Sequence, residues 1–380
     1  MSSKLIKIFS ILALAGLALT ACGGAAQPTA APAAPAATEA PAAPVVTEAP
    51  AAPPVTVPAG FVDTSAYTKA PPYTVCFSNA SVSNSWRVMM NAHVDWGIEE
   101  GKAAGTIGTY RYADANDDPA KQISDVEDLL TQGCDVLILS AAASDVVDPA
   151  AQAAMEAGVP VVTLDRDVAD PAHRVSYVEG DNCLMGTNQA EWLVKQLGGT
   201  GKIVELSGAA GASPAEERLR CADLVFAKNP GIEILAQAYT GWSPTEGQNI
   251  MANWITLYPK IDGIWSDAGL QGSGAVEAYL VAGLPVPPIT GEDFQRFLRQ
   301  WVENDLSIYT YSFSTRLGYE GVQTALKILQ GQPVEEHVRV PGLEITKDNL
   351  MSIFNPKLPD EAIVDAMPEV LQKMYPEAFK

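Results

Sequence analysis

Histidine is almost missing from this chain: His93, His173 and His337 stand far apart in 380 residues. Cysteine is as scarce, with five residues and no Cys-x-x-Cys pair. Without a Cys/His cluster at ligand spacing, the sequence offers no structural zinc site. Basic residues are also in short supply, 24 Lys and Arg against 45 Asp and Glu, for a net charge of −21. Nucleic acid and anionic lipid surfaces both require clustered Lys and Arg, so neither is expected as a partner. Phosphate cradles are missing too. Gly208-Ala209-Ala210-Gly211 precedes a helix start but has neither the Walker nor the dinucleotide spacing, and a tight strand-to-helix turn explains it. Gly272-Ser273-Gly274 is not a Gly-x-Ser-x-Gly elbow, and no histidine is placed for a triad. No cofactor, no metal and no catalytic residue are expected.

The chain has a single export-like apolar run. Lys4 and Lys7 precede Ile8–Leu19, and Leu19-Thr20-Ala21-Cys22 closes the run with small residues and a cysteine. The apolar core is short for a transmembrane span of roughly 20 residues. The order of positive region, apolar core and small residues is that of an export signal. With its cysteine, the box resembles the bacterial lipoprotein signal, in which that thiol becomes the acylated mature N-terminus. This resemblance implies that residues 1–22 are a signal peptide, that Cys22 carries the lipid, and that the rest lies outside the cytoplasmic membrane, touching it through the anchor only. Residues 23–72 begin as an Ala/Pro/Thr tract, with Thr38-Glu39-Ala40-Pro41 and Thr47-Glu48-Ala49-Pro50 in near repeat. Proline removes donors and the side chains are too small to bury, so this stretch reads as an extended tether.

From Tyr73 the pattern becomes that of an α/β body long enough for two domains. Asp135–Ser140 and Val159–Leu164 are continuous apolar runs, typical of strands buried on both faces of a parallel sheet. The segment between them reads as a helix closed by Gly158. Ile123, Val126, Leu129 and Leu130 share one helical face. Near Arg174 the alternation restarts, and Ser213-Pro214 opens a further helix with a capping residue and a first-turn proline. About ten strands in two series predict two doubly wound parallel-sheet lobes rather than one closed barrel.

Open α/β sheets bind ligands beyond the carboxyl ends of their strands. At those positions lie Ser78, Asn84, Trp86 and Arg87, then Asp165 and Arg166, Arg218, Trp242, Asp267 and Asp293. Each alone could be a cap, a surface ion pair or a loop-packed indole. Their recurrence at one topological position suits a neutral polyhydroxy ligand. Carboxylates accept from adjacent hydroxyls, guanidinium groups donate directionally, and an indole covers the C–H face of a sugar ring.

Val159–Arg166 with its Asp165-Arg166 pair, Gly133–Leu139, Asn116–Pro119 with Gln122, Glu179–Asn182, Val204–Arg218 and Gly291-Glu292-Asp293 together resemble ribose-binding protein and its relatives. These are the type 1 periplasmic sugar-binding proteins of ABC importers, and the likeness runs from about Tyr73 to Gln332. It implies two lobes joined by three hinge crossings, with lobe one at residues 73–178 and 315–333, lobe two at 179–314, and a C-terminal return and extension at 334–380. It places ligand positions on Asn84, Trp86, Asp165, Arg166, Arg218, Trp242 and Asp293, with Arg87 and Asp267 beside them. Arg87 stands where ribose binders have a second aromatic, Ala268 replaces an asparagine, and Ser312 stands where a glutamine would be, so ribose itself is not implied. The implied function is a monomeric, lipid-anchored solute-binding protein that delivers a monosaccharide or polyol to an ABC permease. A ligand-presenting sensor for a membrane receptor shares the same fold. An anchored glycosidase would need two carboxylates about 5–10 Å apart, for instance Asp165 and Asp293. The export signal and the missing helix-turn-helix exclude a transcriptional regulator.

Two expectations remain open to the fold. Of the four cysteines after Cys22, Cys183 and Cys221 fall in the first turns of helices and are the pair placed to bond, whereas Cys76 and Cys134 lie at staggered depths. Four free thiols are the alternative. Asp165→Ala or Arg218→Ala is expected to weaken binding at least about tenfold without unfolding the chain.

Overall fold

A computed structural model describes residues 57–380. The expected signal peptide, Cys22 and most of the tether lie outside the described residues.

The described chain opens with a two-residue strand, β1 (Phe61–Val62). It pairs antiparallel with β12 (Val334–Glu335), while the buried Thr64 hydroxyl donates to the Gln332 carbonyl at 2.6 Å. Lys69 meets Asp135 at 2.9 Å, so the folded body begins at Phe61 and not at Tyr73. Phe61–Pro72, expected as the end of a tether over 23–72, instead finds backbone and side-chain partners on the body.

Lobe one is built from β2 (Tyr73–Asn79), α1 (Ser85–Ala103), β3 (Ile107–Asp114), α2 (Pro119–Thr131), β4 (Val136–Leu139), α3 (Ser144–Glu156), β5 (Val161–Leu164) and β6 (Ser176–Glu179). Its sheet has the order β13-β6-β5-β4-β2-β3 and every pairing is parallel. The edge strand β13 (His337–Arg339) comes from the C-terminal return. All four residues of β4 and of β5 are buried, as helices on both faces of a parallel sheet require. Asp118 accepts from the Ala120 and Lys121 amides and Pro119 takes the first turn, which fixes the start of α2.

Lobe two repeats the plan with α4 (Asn182–Gln196), β7 (Gly201–Ser207), α5 (Ser213–Ala227), β8 (Ile232–Tyr239), α6 (Pro244–Leu257), β9 (Gly263–Ser266), α7 (Gly269–Ala282), β10 (Ile289–Gly291), α8 (Gln295–Asn304) and β11 (Ile308–Tyr311). The sheet order is β14-β11-β10-β9-β7-β8, with only β14 (Glu344–Ile345) antiparallel. The chain re-enters lobe one with α9 (Leu317–Leu329), which lies along α1. After β14 come α10 (Leu350–Ile353) and α11 (Pro368–Met374). Among the described residues no helix is long and apolar enough to cross a membrane.

Both cysteine pairs are disulfides. Cys183–Cys221 bonds as expected, although Cys221 sits mid-way along α5 rather than in its first turn. Cys76–Cys134 bonds as well, with Cα atoms 5.8 Å apart. The staggered depth expected from sequence disappears because β2 and β4 are hydrogen-bonded neighbours and Cys134 lies two residues before the first residue of β4. Ser213 differs from expectation too. It is the first residue of α5 and not its cap, and its hydroxyl accepts from the Asp167 amide of lobe one at 3.2 Å.

Candidate functional site

The carboxyl ends of both sheets face one another across the hinge, and the space between them is a small cavity of about 30 Å³. Its lining includes Asn84, Trp86, Arg87, Asp165, Arg166, Arg218 and Trp242, together with Glu292, Phe313, Pro214 and Leu270.

On the lobe-one side, Asn84 caps α1 by accepting from the Arg87 amide at 3.0 Å, which sets the first turn and aims Trp86 and Arg87. The Arg87 guanidinium is 2 % exposed and donates to Asp165 Oδ2 at 2.8 Å and Ser140 Oγ at 2.9 Å. Burial and the neighbouring Arg166 charge push it down to about 10. Asp165 follows β5 in a left-handed conformation, φ +65°. Such backbone in a non-glycine residue is uncommon and must be held by its surroundings. Here the Asp165 amide donates to the Val178 carbonyl, and the Tyr177 hydroxyl donates to the Asp165 carbonyl at 2.8 Å.

Across the cleft, Arg218 donates to Asn182 Oδ1 at 2.8 Å and to Glu292 Oε1 at 2.9 Å, and lies 4.3 Å from the Phe313 ring centroid. Burial lifts Glu292 to about 8 although Arg218 opposes it. The hydrogen bond survives protonation, since Arg218 donates to that oxygen in either state. Trp242 also has a positive φ, +55°, and its indole covers the bare backbone of Gly208. A Cβ on Gly208 would stand 2.0 Å from Trp242 Cε2, so only glycine lets the indole lie there.

Aromatic contacts join the two sides. The Arg166 guanidinium stands 5.4 Å from the Trp242 centroid, a cation–π contact from lobe one to lobe two. Trp86 Nε1 donates to the Phe313 carbonyl at 2.7 Å, and the two rings are 5.4 Å apart.

Seven of the nine residues expected at the site therefore line one cavity. Asp267 and Asp293 do not. Asp267 is fully buried beneath it, accepting from the Gly208 amide at 3.0 Å and from the Gln271 side chain. Burial raises it to about 6, against the Arg218 charge and hydrogen bonds from Gln271, Gly208 and Trp242. It braces the turn that carries Trp242. Asp293 is also fully buried and accepts from the Asp365 amide at 2.5 Å. Burial, then the Asp365 charge, push it well above the usual carboxylate range. Glu292 occupies the cavity in its place, because successive residues leaving a strand point in opposite directions. Ser312 is spent within the hinge, donating to Asp365 Oδ2 and accepting from the Leu343 amide, both at 2.6 Å. With Asp165 paired to Arg87 and Asp293 turned away, these two carboxylates do not flank a common substrate bond as a glycosidase requires.

The periplasmic binding protein domain model matches residues 75–333. This chain belongs to that family. It is a type 1 periplasmic sugar-binding protein by fold and by relatives. It is 30 % identical over 223 residues to the ribose import binding protein of Escherichia coli, covering 58 % of this chain and 75 % of that protein. A xylitol-binding protein of Mycolicibacterium smegmatis is 29 % identical over 262 residues, 68 % of this chain and 75 % of its own. An ABC transporter solute-binding protein from Mycobacterium smegmatis, solved with bound glycerol, superposes with a TM-score of 0.69 at 27 % identity. The match covers 77 % of this chain and 99 % of that one. These relatives are binding proteins, not enzymes.

Proposed function

We propose that this periplasmic binding protein captures a monosaccharide or a small polyol between its lobes and delivers it to an ABC import permease. We propose further that it works as a monomer tethered to the outer face of the cell membrane by a lipid on Cys22. The observation that carries the ligand reading is the shared lining of the cavity, with Asp165 and Arg166 from lobe one, Arg218 and Glu292 from lobe two, and indoles from both. Carboxylate, guanidinium and indole are the groups that hydrogen-bond hydroxyls and cover C–H faces. The bound sugars and polyols named for its relatives agree with that chemistry. Nδ2 of Asn84, the free oxygens of Asp165 and Glu292, and the remaining guanidinium N–H groups are the proposed ligand contacts.

A thermal-shift screen of the soluble body against pentoses, hexoses, polyols and inositols tests the reading. A ligand that binds only the folded state at 100 times its Kd adds about 2.7 kcal/mol and raises Tm visibly. Isothermal calorimetry on the best compound, with Arg218→Met as comparison, should show at least about tenfold weaker binding in the variant. A flat screen across all four classes refutes the ligand assignment. Mass spectrometry of the native N-terminus tests the anchor, which fails if residues 1–21 remain attached.

A further inference from the structure

The last residues run back over the lobe boundary. From Asn355 to Ile363 the chain lies on lobe two. Gln295 Nε2 donates to the Asn355 carbonyl at 2.6 Å, the Arg296 amide to Asp360 O at 3.0 Å, and the Gln295 amide to Ala362 O at 2.9 Å. Arg299 adds an ion pair with Asp360 at 2.8 Å. Four residues later the chain is on lobe one: the Met367 amide donates to His93 Nε2 on α1 at 3.0 Å, and Lys373 meets Glu99 of α1 at 2.6 Å. Ile363, Val370 and Leu371 are buried. Between them, Asp365 is held by its amide on Asp293 Oδ2 and by its carboxylate on the Ser312 hydroxyl, with Arg316 at 3.7 Å.

Glu179–Asn182, Tyr311–Arg316 and Arg339–Glu344 are three crossings between the lobes, and Val364–Met367 makes a fourth. We propose that residues 355–380 are a strap that limits how far the cleft opens, and that Asp293 is the positioning residue that fastens it one residue behind the cavity-lining Glu292. The strap has almost no slack. Asp365 is fixed to lobe two and Met367 to lobe one, and two residues span at most about 7 Å when fully extended. His93 makes a rigid anchor: its Nδ1 donates to the Met89 carbonyl at 2.9 Å, which leaves Nε2 as the acceptor for Met367. Lobe two cannot swing away from α1 here without breaking one of these bonds. The inference rests on the two-lobed cleft that opens and closes, and not on the identity of the ligand.

The test uses ligand-free protein, so that its failure is separate from failure of the sugar assignment. Nitroxides on Glu127→Cys in lobe one and Lys228→Cys in lobe two, both exposed, report the inter-lobe distance by double electron–electron resonance. Asp293→Ala, which removes the acceptor of the Asp365 amide, with Asp293→Asn as the milder variant, should add a population at longer distances that the parent lacks. Superimposable distributions in the parent and in a folded variant overturn the proposal. Hydrogen exchange on the unaltered chain gives a second reading that does not depend on any variant folding. Protection of the Asp365 and Met367 amides comparable to that of Gln295 supports a fastened strap, and rapid exchange at both overturns it.

Discussion

Asp165→Ala should damage the fold as well as the site, which revises the expectation that a cleft-facing change leaves stability alone. The Asp165 carboxylate is 4 % exposed and pairs at 2.8 Å with Arg87, itself 2 % exposed; Arg166 Nε is 4.0 Å from the same oxygen. Removing it leaves a buried guanidinium with Ser140 as its one hydrogen-bonding neighbour and a second guanidinium nearby. Breaking one partner of a buried ion pair costs about 3–5 kcal/mol, whereas an exposed pair contributes about 0–1. Against a total stability of roughly 5–15 kcal/mol, that is a large fraction. At about 2–4 °C per kcal/mol for a domain of this size, Tm should fall by roughly 6–20 °C. Scanning calorimetry on the variant measures it. The double variant Arg87→Met with Asp165→Leu should regain most of the loss, since it removes both charges and refills the volume. A fall equivalent to less than about 1 kcal/mol in Asp165→Ala, or a double variant worse than the single one, refutes the buried-pair reasoning.

Gly208→Ala should displace the Trp242 indole and weaken ligand binding at least about tenfold in a folded protein; intrinsic fluorescence reports the displacement and calorimetry the affinity. Stability should rise as pH falls from about 8 towards about 5, because Glu292, raised to about 8, and Glu179, raised to about 7 chiefly by burial, hold protons that the unfolded chain releases near 4.5. His93, which burial lowers to about 4, opposes this below 6.5 as the unfolded chain protonates it, but one proton against two slows the rise without reversing it, so Tm should keep climbing towards about pH 5, with Glu292→Gln flattening the alkaline limb. Thiol titration of denatured, non-reduced soluble body should find no free groups among Cys76, Cys134, Cys183 and Cys221. Replacing Cys183 and Cys221 together by serine should cost roughly 2–4 kcal/mol in chemical denaturation, since the bond closes a loop of sequence separation 38.

The sequence by itself determined the class of the fold. DVLILS and VPVVTL can be comfortable only between two layers of helices, and their alternation with amphipathic segments dictates parallel sheets. It also determined which strand ends carry Asp-Arg, Arg and indole, because ligand positions in such sheets follow from topology. Tertiary structure decided what local pattern could not encode. β13 and β14 are three and two residues long with no apolar run of their own, and exist because a neighbouring strand offers unpaired backbone groups. Cys76 and Cys134 bond because sheet pairing sets residues 58 apart in sequence side by side. Glu292 faces the cavity while Asp293 fastens the C-terminal segment, a division that depends on the direction in which each side chain leaves β10. Residues 355–380 fasten both lobes through backbone amides and carbonyls that every sequence possesses, so only the folded chain shows where those groups meet.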